Sequence, residues 1–207
     1  MTSRLEVAPG VAYWPERFVP VGQRALLAEI LARVEVAPFY RPTMPGSGAP
    51  LSVEMTNFGP LGWVSDQANG YRYQSSHPAT GKPWPDIPQT LLDLWNETTV
   101  YRAPPEACLV NIYRSGARMG LHRDADEEAI DAPVLSISLG DTAIFRFGGP
   151  TRRGSTATIK LNSGDVLVFG GPARCMYHGV DRIVSGGSSL IPGGGRVNLT
   201  LRRVTKP

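Results

Sequence analysis

The stretch RVNLTLR, residues 196–202, alternates polar and apolar side chains along its whole length. Because successive side chains of a β-strand point to opposite faces, Arg196, Asn198 and Arg202 share one face, and the three apolar residues share the other. The segment is therefore predicted to be a strand that points two guanidinium groups and an amide the same way. This polar face lies either in solvent, which composition alone favours, or against an anion inside a barrel.

The chain after residue 105 repeats this texture. Short alternating or β-branched runs are separated by turn residues: ACLVNIY, PVLSISLG, AIFRFGG, TATIKL, DVLVFGG and RVNLTLRRV. Several short strands at this spacing are typical of a β-sandwich or barrel. Residues 105–207 are therefore predicted to form a jelly-roll-like β core.

Residues 1–104 are predicted to be helical and loop-rich, and to pack on that core as one structural unit. Residues 21–34, VGQRALLAEILARV, predict an amphipathic helix, and residues 87–98, IPQTLLDLWNET, predict a second helix. The apolar positions of the first helix that are expected to be buried are Leu26, Leu27, Ile30, Leu31 and Val34. The fold class is α+β.

The segment between the two helices, residues 38–86, is rich in Pro, Gly, Ser and aromatic residues. A long loop-rich stretch in a folded protein is usually functional or disordered. Disorder is disfavoured here, because Trp63, Tyr71, Tyr73 and Trp84 would expose large apolar surfaces to water. A lid or binding lobe is predicted.

Composition excludes several classes of protein. With 207 residues and 42% hydrophobic content, the chain suits one sizeable domain. No apolar run approaches the roughly 18 residues of a membrane span, and the first residues lack a signal sequence, so we expect an unprocessed, soluble, cytoplasmic protein. The two cysteines, Cys108 and Cys175, form no CxxC motif and are expected to be unpaired, small buried apolar residues. A net charge of +3 permits an anionic partner.

The stretch LHRDADE, residues 121–127, places His122, Asp124 and Asp126 at alternate positions. Three explanations compete: a catalytic aspartate behind an HRD sequence, a metal site built on H-x-D, or an acidic turn beside an unrelated histidine. A kinase catalytic loop needs an asparagine five residues after its aspartate, where this chain has Ala129, and a glycine-rich loop that is absent. The kinase explanation fails.

A metal site fits the histidines better. In an extended segment, His122 and Asp124 leave the same face, and His178, in MYHGV after the run DVLVFGG, supplies a third ligand if the core is a jelly roll. These three residues have the composition of the 2-His-1-carboxylate triad that binds Fe(II) and leaves coordination positions open. The alternative is a pair of hydrogen-bonded histidines. His77 is predicted to be a surface or turn residue outside the site.

The arginines of RVNLTLR would have a purpose beside such a metal. Each guanidinium can make a charge-assisted, bidentate contact with one carboxylate of a dicarboxylate. A 2-oxo acid can in addition chelate Fe(II).

At this point the chain resembles a known family. The segments MTNFGPLGW, KPWPDIP, CLVNIY, MGLHRDADE, PVLSISLGDTAIFRFGG, DVLVFGG, YHG and RVNLTLR are similar to those of the AlkB family of Fe(II)/2-oxoglutarate dioxygenases, in its bacterial DNA-repair type, over roughly residues 53–203. The resemblance implies a double-stranded β-helix core with a nucleotide-recognition lid. Tryptophan stands in some members where this chain has Phe169, so the role of Phe169 stays open.

The resemblance also implies a role for each matched residue. It places Fe(II) on His122, Asp124 and His178, with dioxygen and 2-oxoglutarate completing the reaction. The residues implied for the co-substrate are Asn111, Tyr113 and Arg196 at its distal carboxylate, and Asn198 and Arg202 at the carboxylate nearer the metal.

Three further residues are implied to bind the substrate. Trp63 would stack the flipped base against His122, Tyr71 would lie near its phosphate and edge, and Asp126 would favour cationic bases such as 1-methyladenine and 3-methylcytosine. The implied reaction hydroxylates an N-methyl group of DNA, preferably single-stranded, with RNA also a candidate, and releases formaldehyde.

Arg72 and Arg152 or Arg153 are candidates for phosphate contacts. A monomer is expected.

Two alternatives stay open on the sequence. One keeps iron and 2-oxoglutarate but gives the lid a protein or small-molecule substrate. The other is a non-catalytic nucleic-acid binding module with a vestigial site, which the complete triad and the two arginines disfavour.

Overall fold

The strand Arg196–Arg202 lies inside a seven-stranded antiparallel sheet in the computed structural model, which describes residues 3–207. A four-stranded sheet faces it, and a two-stranded hairpin lies beside them. The strands in chain order are β1 (Leu5–Ala8), β2 (Val11–Trp14), β3 (Glu54–Phe58), β4 (Gly62–Asp66), β5 (Gly70–Gln74), β6 (Ala107–Tyr113), β7 (Met119–His122), β8 (Val134–Gly140), β9 (Thr142–Gly148), β10 (Thr156–Leu161), β11 (Val166–Phe169), β12 (His178–Val184) and β13 (Arg196–Arg202).

The larger sheet has the order β1-β2-β11-β8-β13-β6-β3, and the smaller sheet has the order β10-β9-β12-β7. Two facing antiparallel sheets with crossed connections are consistent with the predicted jelly-roll core, and the α+β class is confirmed. The division after residue 104 stays a prediction. Three strands that precede this residue, β1, β2 and β3, belong to the larger sheet.

Two helices pack on the outer face of the larger sheet: α1 (Pro20–Val36) and α2 (Gln89–Thr98). The first includes the predicted range, and the second begins two residues later than predicted, after Pro88, whose backbone is extended. The prediction that Leu31 is buried is wrong, because it lies at the edge of the apolar stripe and is 41% exposed.

Both faces of β13 are buried. Its apolar residues, Leu199 among them, pack under the helices with Leu26 and Trp95. Its polar residues face the other way, towards the space between the two sheets, and all of them are buried. Of the two alternatives for this polar face, the interior one is therefore correct. The solvent alternative fails because composition cannot show that a second sheet covers the polar side.

Much of the loop-rich stretch is ordered. It contains β3, β4 and β5, and its β4–β5 hairpin is closed by a turn at residues 67–69. Of the two positions predicted for His77, the surface position is wrong, since this side chain is 1% exposed. The turn position is correct, since Gly81 donates its backbone N–H to the His77 carbonyl across the turn at residues 78–80. The Nε2 of His77 lies 2.8 Å from the Pro38 carbonyl oxygen, and its Nδ1 accepts the backbone N–H groups of Ala79 and Thr80. A buried ring thus fixes the turn after β5.

The two cysteines are free, as predicted. The prediction of burial is correct for Cys108 and wrong for Cys175, which is partly exposed. Among residues 3–207, no helix has both the length and the apolar character that crossing a membrane requires.

The buried apolar face of β13 should dominate stability. Replacing Leu199, which is fully buried between sheet and helices, with alanine should lower the free energy of unfolding by about 2–5 kcal/mol, because the change leaves a cavity. Urea unfolding measures the loss. Val100→Ala, at a fully exposed position, is the control and should change stability little. An equal loss in both variants would contradict this account of the core.

Candidate metal centre and active site

The two candidate metal-binding histidines face each other across a strand pair. His122 ends β7, His178 begins β12, and the two residues are direct partners in the antiparallel register. Close approach depends on Gly179, where a Cβ atom would lie 2.5 Å from the Met119 carbonyl oxygen. The imidazole centroids are consequently only 4.5 Å apart.

Asp124 completes the cluster. It lies beyond the end of β7, so the strand is shorter than the alternation suggested, but its carboxylate still points to the histidines. Its Oδ1 is 3.8 Å from His122 Nε2, and its Oδ2 is 3.8 Å from His178 Nε2. One ligand atom from each of the three residues falls within 4.8 Å of the others. The structure brings the predicted triad together.

Backbone carbonyls set the tautomer of both histidines. Nδ1 of His122 is 2.9 Å from the Gly120 oxygen, and Nδ1 of His178 is 3.1 Å from the Met176 oxygen. A carbonyl oxygen can only accept, so each Nδ1 carries the proton and each Nε2 presents a lone pair. Both rings are therefore prepared to bind a metal through the atoms that face Asp124.

The charge states of the cluster also suit a divalent cation. Burial lowers the pKa of His178 to about 4, although Asp124 opposes the shift, so this imidazole is neutral near pH 7. Burial alone would raise the pKa of Asp124, but the charge of Arg202, followed by those of the histidines, holds it well below its ordinary value. A metal would meet a carboxylate and a neutral imidazole, the forms that bind.

Arg202 is engaged with the metal ligand itself. Its Nη2 donates to Asp124 Oδ1 at 2.8 Å, and its Nε donates to Asp124 Oδ2 at 3.2 Å. Arg174, which sequence reasoning missed, donates to the Asp124 carbonyl at 2.7 Å and to Glu127 Oε2 at 3.0 Å. Two buried arginines thus offset two buried carboxylates, Asp124 and Glu127. Nothing in the motif around Arg174 signalled this role.

Arg196 is the contrasting case. Its fully buried guanidinium lies over the Tyr113 ring, 5.5 Å from the centroid, and donates to Ser138 Oγ at 2.9 Å. Within residues 3–207, its Nε and Nη1 have no hydrogen-bond partner, and Asn111 Oδ1 is also unpartnered. Burial lowers the pKa of this guanidinium, yet arginine stays protonated in proteins. An uncompensated buried cation with free donors is the chemistry of an anion site.

The remaining predicted co-substrate residues lie where the strand register puts them. Asn198 is opposite Asn111, and Arg196 is opposite Tyr113, in the β6–β13 pair. The Nδ2 atom of Asn198 already donates to Ser136 Oγ at 2.8 Å and to the Ile137 carbonyl at 2.9 Å. Its amide is therefore held rigidly on the wall of the cavity.

A cavity of about 470 Å³ extends from the triad to the two-stranded hairpin. Asn111, Tyr113, Asn198 and Arg202 line it, whereas Arg196 is not one of its lining residues. Trp63 on β4 lines it, and its ring stacks on Tyr71 of β5 with centroids 5.3 Å apart. The indole Nε1 donates to Asp126 Oδ2 at 2.8 Å. The three predicted substrate residues are thus adjacent, and the structure adds a direct bond between two of them.

The remaining residues that the sequence singled out differ in their position relative to the cavity. Arg72 lies in β5, not in a loop, and pairs with Asp66 at 2.6 Å. Arg152 lines the cavity, whereas Arg153 is exposed on the adjoining loop. Phe169, the position left open by the sequence, is buried with its ring 4.9 Å from that of His178. It forms part of the apolar wall behind this ligand.

Comparisons with known proteins agree with this geometry. The model of the 2OG-Fe(II) oxygenase superfamily matches residues 10–202, which defines the class. An AlkB homolog from Caulobacter vibrioides, described as an alpha-ketoglutarate-dependent dioxygenase, is 57% identical over 201 residues, 96% of this chain and 90% of the relative. AlkB of Escherichia coli is 39% identical over 194 residues, 92% of this chain and 88% of the relative. The chain belongs to the AlkB family of these dioxygenases.

A solved structure supports the same conclusion for the fold. The structure of OsALKBH1 superposes with a TM-score of 0.78 at 29% identity, covering 97% of this chain and 100% of that one. The triad of His122, Asp124 and His178 fits Fe(II), because its donor set, tautomers and open side match the facial arrangement that such oxygenases use.

Loss of a triad residue should abolish metal binding. We expect His122→Ala to remove the visible absorption of bound Co(II), a spectroscopic substitute for Fe(II), because two remaining ligands hold the ion weakly. Asp126→Asn, four residues along the same segment, should retain the spectrum, since Asp126 bonds to Trp63 and is not a ligand. Equal Co(II) spectra for the parent protein and His122→Ala would refute the assignment.

Proposed function

We propose that this protein removes methyl groups from N-methylated bases of nucleic acids, 1-methyladenine and 3-methylcytosine in particular, by Fe(II)- and 2-oxoglutarate-dependent oxidation. The observation that carries the proposal is the single cavity that joins the His122, Asp124 and His178 triad to the aromatic pair Trp63 and Tyr71. Such a cavity suits a flat ring with a reactive substituent directed at a metal.

The unpaired arginine supports 2-oxoglutarate as co-substrate. We assign the distal carboxylate to Arg196, whose free Nε and Nη1 donors need an anion, with Asn111 and the Tyr113 ring beside it. The carboxylate nearer the metal is assigned to Asn198 and Arg202. Arg202 also holds Asp124, so one side chain would bridge the metal ligand and the co-substrate.

The chain's own residues have a limited task in this reaction. Bound Fe(II), with 2-oxoglutarate and dioxygen, supplies the oxidation of the methyl group, and the hydroxymethyl product loses formaldehyde. Asp124 and the histidines would hold the ion, and Phe169 and Phe145 keep the wall behind His178 apolar. The protein orients the methyl group and excludes competing C–H bonds.

The aromatic wall supports a base as substrate. Trp63 would stack the base against His122, and Tyr71 would extend the contact towards the backbone. Stacking contributes about 1–3 kcal/mol per base and tolerates any neighbouring sequence. Because Asp126 holds the indole through its Oδ2, its negative charge lies at the edge of the proposed slot, where it would favour a cationic methylated base.

A base inside a duplex cannot reach this cavity, so the substrate is a single strand or a flipped nucleotide. The β4–β5 hairpin serves as the lid, and residues 1–104 serve as the lid-bearing part packed on the core at 105–207. Arg152, at the cavity, is the strongest of the predicted phosphate contacts, because Arg72 is already paired with Asp66. We propose a cytoplasmic monomer.

The names of relatives with shorter matches support this substrate class. A protein of Arabidopsis thaliana is named DNA N(6)-methyladenine demethylase, and one of Schizosaccharomyces pombe is named tRNA demethylase. Both names describe nucleic acids, so DNA is the leading substrate and RNA remains a candidate. The alternative is a protein or small-molecule substrate. Turnover of 2-oxoglutarate without any turnover of the oligonucleotide would favour this alternative.

The direct test follows formaldehyde and repaired base. With Fe(II), 2-oxoglutarate and ascorbate, the parent protein should demethylate a single-stranded oligonucleotide that carries 1-methyladenine or 3-methylcytosine, whereas His122→Ala should not. Formaldehyde, succinate and the base are measured together. Succinate without a changed base would reject nucleic-acid demethylation and keep the oxygenase.

The charge of Asp126 should set preference between lesions. Asp126→Asn keeps an oxygen that can accept from the Trp63 indole but removes the negative charge. We expect kcat/KM for cationic 1-methyladenine to fall about tenfold, the scale of one charged contact, with a smaller change for neutral 1-methylguanine. Measuring the ratio for both oligonucleotides cancels general damage. An unchanged ratio would assign Asp126 only to holding Trp63.

A further inference from the structure

The lid hairpin is tied to the metal centre by a second contact, deeper than the one at Trp63. Tyr73 lies on β5, and its hydroxyl donates to Glu127 Oε1 at 2.5 Å. The same oxygen of Tyr73 lies 3.5 Å from Nη1 of Arg202. A lid strand therefore reaches the arginine that holds the metal ligand.

Glu127 contacts both Tyr73 and Arg202, so a movement of Tyr73 would change the position of Arg202. Its side chain is 1% exposed and lies between Tyr73, Arg174 and Arg202, with Arg202 Nε 3.5 Å from its Oε1. Arg202 in turn makes its two-point contact with Asp124. Buried charges in such a network interact strongly, because little solvent screens them. Movement of one member changes the balance on the others.

We propose that Tyr73 and Glu127 are positioning residues that couple the lid to the co-substrate site, through Arg202 and Asp124. With the lid hairpin closed, the Tyr73 hydroxyl would hold Glu127, and Glu127 would hold the Arg202 guanidinium towards Asp124 and the cavity. Binding of substrate under the lid would then tighten binding of 2-oxoglutarate, and the reverse would hold by reciprocity. This inference rests on the proposed function for the identity of both ligands.

The Tyr73 hydroxyl is suited to this task because it stays protonated. Burial raises the pKa of Tyr73 above its ordinary value, and the nearby charge of Arg202 only partly opposes the shift. The group is therefore a protonated donor to Glu127 near neutral pH. A purely structural contact would have the same chemistry, so the experiment must separate stability from coupling.

The chain offers a matched control. Tyr13 also donates a buried hydrogen bond to a carboxylate, to Asp165 Oδ2 at 2.7 Å, and burial likewise raises its pKa. Tyr13 and Asp165 do not line the active-site cavity, and Tyr13→Phe keeps the Asp165 carboxylate, whose charge acts on Arg196. Tyr13→Phe and Tyr73→Phe thus remove the same kind of bond at two places, and each keeps its aromatic ring.

The experiment measures the Kd of 2-oxoglutarate by calorimetry with saturating Mn(II), which supports binding without turnover. It is done with and without a single-stranded oligonucleotide carrying 1-methyladenine. We expect Tyr73→Phe to weaken 2-oxoglutarate binding about three- to tenfold without oligonucleotide, the scale of one lost hydrogen bond to a charged group. In the parent protein the oligonucleotide should lower the Kd of 2-oxoglutarate. In Tyr73→Phe the ratio of the Kd without oligonucleotide to the Kd with it should be close to one. Tyr13→Phe should match the parent protein in both measurements.

Amide hydrogen exchange of metal-free protein gives a second readout. Tyr73→Phe should speed exchange in residues 70–74 and 123–128 together, and Tyr13→Phe should not. Glu127→Gln, which keeps the acceptor oxygen but removes the charge, should also weaken 2-oxoglutarate binding. Thermal unfolding shows whether each variant is folded.

The outcomes are distinct. A parent-like Kd and parent-like exchange in Tyr73→Phe, at a stability equal to that of Tyr13→Phe, would overturn the coupling. If neither the parent protein nor its variants demethylate the oligonucleotide, the proposed substrate is wrong. The positioning role of Tyr73 still stands if Tyr73→Phe weakens 2-oxoglutarate binding.

Discussion

The burial of two guanidinium groups on one strand is the constraint on which the rest of this structure depends. Strand β13 has helices on its apolar face and a second sheet over its polar face, so Arg196 and Arg202 cannot reach bulk water. A buried cation is costly unless an anion compensates it. Arg202 forms an ion pair with Asp124, whereas Arg196 forms no ion pair with any carboxylate of residues 3–207, although the charge of Asp165 acts on it from a longer distance. The fold therefore buries one arginine that has an anionic partner, Arg202, and one that has none in contact among these residues, Arg196.

The difference between the two arginines determines which ligands the cavity can bind. Because Arg202 keeps Asp124 ionised, the triad presents a carboxylate beside two imidazoles whose Nε2 atoms are free, and a divalent cation is the natural partner. A dicarboxylate that reached Arg196 would give this arginine an anionic partner. The co-substrate would thus offset a charge that the chain buries, which gives its binding energy a structural origin. The metal would instead bind ligands that the fold already holds in the required ionisation state and orientation.

The sequence predicted those parts that depend on periodicity and on local motifs. The alternation in RVNLTLR predicted the common face of Arg196 and Arg202, and H-x-D followed by His178 predicted the triad, because both features survive in any strand context. Periodicity could not show that a second sheet covers the polar face, nor that His77 is buried, since both depend on which distant segments meet. Arg174 was missed for the same reason: its partners, Asp124 and Glu127, are about 50 residues away in the chain.

The segment after β7 contacts both the candidate metal centre and the β4–β5 hairpin. His122 and Asp124 belong to the triad, while Asp126 accepts from Trp63 of β4 and Glu127 accepts from Tyr73 of β5. Each strand of the hairpin is therefore held by a carboxylate only a few residues from a member of the triad. An insertion of one residue between Asp124 and Asp126 would shift both acceptors relative to the triad. The spacing inside LHRDADE therefore has to fit the contacts of the β4–β5 hairpin as well as the triad.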